Sequence, residues 1–318
     1  MESAPASCDS KHHSAFRRKT VNSLRGTAEM TASMVLSGTI GWFVVKSGQP
    51  IHDVVFWRCL FGALTLFAVC AALGMLRQLT WRTLGLAALG GVAIVMNWLL
   101  LFAAYPRASI SIATAVYNTQ PFMLVALGAL LFSERITLTK LAWLLIAFAG
   151  VLMIVQAKPD HGHGATDYLG GIALALGAAF FYAVAAIITK RLAGVPPHLI
   201  ALIQACVGMA MLAPFANLSD FAAYDGSWTM LMTIGVVHTG LVYILLYGAI
   251  QKLSTAMTAA LSFIYPVVAI VVDMVAFGLR LDWAQWAGAA AILIAAAGMT
   301  LGWRLPFGRR HGAATAKS

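Results

Sequence analysis

The chain is cut into ten apolar runs, each about as long as a helix that crosses a lipid bilayer, which needs roughly 20 residues. They fall at about 27–45, 54–76, 84–104, 109–132, 139–156, 169–189, 198–215, 229–250, 255–277 and 284–303. Short turn-forming segments such as "KSGQP", "YPRAS" and "KLS" separate them. Only 10% of residues are charged and 61% are hydrophobic. A soluble domain carries about 25% charged residues, and one this apolar would aggregate. The pattern predicts an all-α integral membrane protein with ten transmembrane helices. The net charge of +10 does not indicate nucleic acid, because the basic residues sit at the ends of apolar runs rather than on one polar face.

Lysine and arginine set an orientation. With the N-terminus placed in the cytoplasm, sixteen fall in inside segments and four in outside segments (Lys46, Arg107, Lys158 and Arg280), with Arg58 inside the membrane. That bias predicts two cytoplasmic termini and an even number of spans. Residues 1–26 and 304–318 read as cytosolic tails, the first disordered and without the apolar core of a signal peptide. Cys59, Cys70 and Cys206 lie within apolar runs, and no cysteine spacing marks a metal site or disulfide framework.

The two halves repeat. "SISIATAVYNTQPFMLVALGALLFSERI" from Ser109 aligns without gaps on "STAMTAALSFIYPVVAIVVDMVAFGLRL" from Ser254. In that register Pro121 meets Pro266, Arg135 meets Arg280, Gly90 meets Gly235, and Trp98 meets Tyr243. Each half holds five spans, so the second enters the membrane from the opposite side. This predicts an inverted-topology repeat, 27–156 and 168–303, joined by an external linker at 157–167.

Four polar residues and a proline interrupt the fourth run, where an unpartnered polar group in hydrocarbon would cost several kcal/mol. Matched prolines in the fourth and ninth spans predict broken helices near mid-membrane, and in secondary transporters built from inverted repeats such breaks mark the substrate site. Tyr117, Asn118, Gln120, Trp98, Tyr243 and Tyr265 are the candidate substrate-binding residues. The structural alternative is packing between helices. His238 is the one readily titrated side chain near mid-membrane and, with Glu29, a candidate for proton coupling. Arg58 and Asp273 are intramembrane charges towards the outer face, able to pair with each other or with a substrate carboxylate. "DHGHG" reads as a solvated linker rather than a metal site. Ala287, Ala291 and Ala295 give the tenth span a small-residue face, which together with the fifth span offers a surface for a homodimer.

"SERITLTKLAWLLIAFAGVLMI" resembles the closing signature of EamA-type proteins, and "YILLYGAIQKLSTAMTAALSFIYPVVA" resembles their second-half signature. "GWFVVKSGQPIHDVVFWRCLFGAL" is similar to their first helix pair. The resemblance spans about 27–303 and implies the drug/metabolite transporter superfamily, with ten helices around a cavity that opens alternately to each side. Leu279 stands where the second repeat usually has Glu, so any capping role of that Glu is missing.

The expectation is a secondary transporter of a small organic metabolite in a bacterial inner membrane, without cofactor or metal. On family grounds the first substrate is an amino acid or derivative, exported. Import or exchange of a choline-like or adenosyl cation is the alternative. An intramembrane enzyme lacks support, since His-Glu-x-x-His, Gly-x-Ser-x-Gly and Gly-x-Gly-Asp are all missing. A non-transporting scaffold has no need of two matched proline breaks.

Overall fold

The computed structural model describes residues 7–108, 113, 116–156, 168–218, 221–277 and 283–303. The elements among them are all helices. In the first repeat they are Ser7–Gly38 with Ile40–Ser47, Ile51–Ala72, Trp81–Ala108, Gln120–Phe132 and Leu138–Gln156, which form spans one to five. In the second, Tyr168–Arg191 and Pro197–Leu212 form spans six and seven. Trp228–Thr233, Ile234–Leu241 and Val242–Lys252 run on as span eight. Thr255–Ser262 with Ile264–Phe277 makes span nine, and Trp283–Leu301 span ten.

Two boundaries differ from the sequence reading. The first helix starts at Ser7, within the segment read as a tail, and no proline or glycine falls between Ser7 and Gly26. The third helix continues to Ala108, through the expected "YPRAS" turn. The 157–167 linker with its histidines, and residues 304–318, lie outside the described residues.

The packing repeats as the sequence does. Span one lies on span eight, and its counterpart, span six, on span three. Span one also meets span nine, as span six meets span four. Spans two and seven, four and nine, and five and ten pack on their own counterparts. Every one of these contacts maps onto another, or onto itself, when the repeats are exchanged. This is the packing of two inverted five-helix repeats around a pseudo-twofold axis.

Spans five and ten meet through an apolar core. Ala147 and Val151 of span five and Ile292 and Ala295 of span ten share one buried core, so the small-residue face of span ten is in part used within the chain. Leu64, Phe67, Leu130, Phe180 and Leu293 face outwards, an apolar girdle suited to lipid.

Candidate functional site

Both expected breaks are present, and they fall at equivalent positions. In span four the chain turns at Asn118 and Thr119, and the helix restarts at Gln120 with Pro121 in its first turn. Proline is tolerated there because its missing N–H would have no helical partner. In span nine the turn is at Phe263, and the helix restarts at Ile264. Asn118 and Phe263 are matched by the repeat. At each break a hydroxyl bonds the carbonyl three residues back: Thr119 donates to Val116 O at 2.7 Å and Ser262 to Ala259 O at 2.7 Å.

Two further irregularities have no proline. Span one breaks at Thr39. Span eight widens into a π-helical stretch over Ile234–Leu241, where the Thr239 hydroxyl donates to Ile234 O at 3.3 Å, five residues back. They meet: Thr39 Oγ1 lies 2.9 Å from His238 Nε2. Thr39 already donates to Leu36 O at 2.8 Å, so its hydroxyl accepts from Nε2–H. The other ring nitrogen, Nδ1, is then a bare acceptor, buried with no partner among the described residues. Phe43 closes against the imidazole edge at 5.0 Å.

A small cavity lies among spans two, three, seven and eight, lined by Cys59, Ile94, Trp98, Gln204, Thr239 and Tyr243 with two alanines. It has room for about one water molecule. Trp98 and Tyr243, expected from the repeat, form one wall edge to face, 6.4 Å apart. Arg58 is 7% exposed. Its guanidinium lies 4.3 Å over the Trp98 ring and its Nε donates to Thr239 at 3.2 Å. It has no carboxylate partner among the described residues.

Gln204 was missed by sequence reasoning. The signal was there: it is the lone amide in "HLIALIQACVGMAML". The paired helices also align, Pro50 with Pro196, His52 with His198 and Gly62 with Gly208, which sets Arg58 against Gln204. Gln204 is 3% exposed. Its Oε1 accepts from the Tyr247 hydroxyl, while Nε2 has no partner among the described residues.

The remaining candidates sit elsewhere. Tyr117 accepts from Asn97 at 3.2 Å and faces Tyr182 across 6.4 Å, away from the cavity wall. Asn118 and Gln120 are buried at the break, and the Gln120 Oε1 has no partner among the described residues. Tyr265 packs against the core. Asp273 lies in the second helix of span nine, which packs on spans one and ten. Its side chain is outside the described residues.

The two ends of the bundle are closed differently. At the Lys252 end, Glu29 of the first repeat pairs with Lys252 of the second at 2.5 Å and with Arg25 at 2.9 Å. Glu134, between spans four and five, pairs with Lys190 at 2.7 Å and accepts from Thr255 N at 3.1 Å and Thr255 Oγ1 at 2.7 Å. It thereby caps the first helix of span nine. Burial pushes the Glu134 carboxyl up, but Lys190 and Thr255 outweigh it and hold it below the usual carboxylate range. At the Pro50 end, Trp57 packs among Phe56, Phe61, Phe221, Tyr224 and Trp228, with ring centroids 4.9 to 6.0 Å away. Among the described residues no cluster could hold a metal ion.

A family model described as the EamA-like transporter family matches residues 29–156 and again 169–301. The chain is 32% identical over 277 residues to "Uncharacterized transporter YxxF" of Bacillus subtilis (strain 168), a match that covers 86% of this chain and 88% of that protein. It is 28% identical over 196 residues to a "Probable amino-acid metabolite efflux pump" of Salmonella typhimurium, covering 57% of this chain and 64% of that one. A solved structure agrees in fold with a TM-score of 0.76 at 21% identity, covering 88% of this chain and 97% of the other.

Proposed function

The chain belongs to the EamA-like transporter family, and from that footing we propose that it exports an amino-acid metabolite by alternating access through the cavity beside Arg58 and Trp98. One observation carries the reading. The cavity lies where the two repeats meet, and both repeats break a helix at the same register. Matched discontinuities suit a site that two rocking halves share. The names of the partial relatives supply the substrate class, and the lysine and arginine bias supports an inner-membrane protein with both termini in the cytoplasm.

In this proposal the Lys252 end is the cytoplasmic gate and the aromatic cluster at the Pro50 end is the outer one. Opening either widens the small cavity to metabolite size and brings Tyr117, Asn118, Gln120 and Tyr265 to its wall. His238 is the coupling group. Protonation of its bare Nδ1 places a cation beside Arg58 and the broken first span, which favours the conformation that hydrates it.

Proteoliposomes test this. Vesicles carrying the full chain are expected to exchange internal amino-acid derivatives for labelled ones and to concentrate them when a pH gradient is imposed. His238→Gln keeps hydrogen-bonding capacity but does not titrate near neutral pH. It should retain exchange and lose most of the gradient-driven accumulation. Accumulation equal to the parent's removes His238 from the coupling step, and no exchange of any amino-acid derivative removes the substrate class.

A further inference from the structure

We infer that the cavity selects organic anions, with Arg58 and Gln204 as the paired donors for one carboxylate and the Trp98–Tyr243 wall for the apolar remainder of the substrate. This deepens the transport reading above and rests on it.

Among the described residues that line the cavity, the buried side-chain atom left without a partner is a donor, Gln204 Nε2. Arg58 is a buried cation whose described neighbours are the Trp98 ring face and the hydroxyls of Thr239 and Tyr243, none of which is a carboxylate. Leaving a buried charge without a counter-ion is costly, and a cation–π contact offsets only part of that. Its Nε is engaged by Thr239 and its side chain also meets the Tyr243 hydroxyl, and the N–H groups that remain of its five suit a carboxylate. Thr239, Trp98 and Tyr243, which Arg58 meets, line the same cavity as Gln204. There Tyr247 occupies the amide oxygen of Gln204 and orients the amide, so that Nε2 is the group left over. A carboxylate, which only accepts, satisfies both donors. A quaternary or primary ammonium satisfies neither and is repelled by Arg58.

The repeat explains how the pair arises. Arg58 and Gln204 occupy equivalent places in helices that start alike after Pro50 and Pro196. One inverted pair of positions thus supplies a charged and a neutral donor from opposite halves. A ligand held by both draws the halves together.

The test uses the purified full chain and three probes with one skeleton: 3-phenylpropanoate, 3-phenylpropanamide and 3-phenylpropylamine. Binding is read from tryptophan fluorescence and from the melting temperature, which a ligand of the native state raises. The carboxylate is expected to bind at least about tenfold more tightly than the amide, with the amine weakest. Arg58→Gln should erase the preference. Gln204→Glu, nearly isosteric, places a carboxylate inside the site and should abolish anion binding even if Arg58→Gln does not fold. Equal binding of amide and acid, tighter binding of the amine, no response to the carboxylate, or an unchanged affinity in Gln204→Glu each overturns the inference. Proteoliposomes separate this from the transport reading. Exchange restricted to solutes without a carboxylate sinks the inference and leaves transport standing, whereas binding of the acid with no exchange of any solute does the reverse.

Discussion

Glu134 shows how much one side chain holds together. It reaches from the end of span four to a lysine on span six and to the first residue of a helix in span nine. Its carboxyl is held below its ordinary value of 4.5, so its contribution to stability is present above that value. The contribution is lost as pH falls through the lower folded value. Glu134→Gln is therefore expected to lower the melting temperature at neutral pH by about 2–4 °C, for a loss of about 1 kcal/mol. The gap to the parent should close as both are titrated into acid. An equal gap at pH 7 and at pH 3 would mean that the charge is not what matters. Asn118, Gln120 and Tyr117 were legible in the sequence as polar residues where lipid cannot face. Thr39 and Thr239 were not, because a threonine in a helix normally bonds its own backbone, and only the fold shows what else it meets.

At the level of helices, the matched glycines Gly90 and Gly235 make corresponding contacts of unequal stiffness. A Cβ on Gly235 would stand 2.3 Å from Phe61 Cβ and 3.1 Å from the Gly62 backbone nitrogen. Neither can move without shifting span two. A Cβ on Gly90 would meet the Gln204 amide at 2.5 Å, the far end of a side chain that can rotate. Gly235→Ala should cost about 1–3 kcal/mol through overpacking and lower the melting temperature clearly. Gly90→Ala should cost less in stability but displace the amide and weaken ligand binding. A larger melting loss for Gly90→Ala would contradict this placement of the helices. The breaks in spans four and nine could be read from Pro121 and Pro266, which remove backbone donors. The break at Thr39 and the widened turn around His238 carry no such residue. They fall where spans one and eight meet, at Thr39 and His238, and single-sequence patterns do not report that contact.

For the whole molecule, the inverted repeat was visible as an ungapped register, and the packing pairs follow it. The orientation in the bilayer rests on charge alone. With native cysteines removed, a cysteine at Gly162 in the linker should react with an impermeant thiol reagent on intact cells. Labelling only after lysis would invert the assignment.

The repeats differ most at their doors. One end is fastened by Glu29 and Glu134 to lysines of the opposite half, and the other by stacked rings around Trp57. In the sequence register Leu279 stands where the first repeat has Glu134. Added salt screens the charged seat and leaves the aromatic one intact, while cooling weakens the apolar seat more than the charged one. On the alternating-access proposal, a scaffold symmetric in its helices is thus a valve with unlike seats, whose resting position is expected to move with salt or temperature without any cargo.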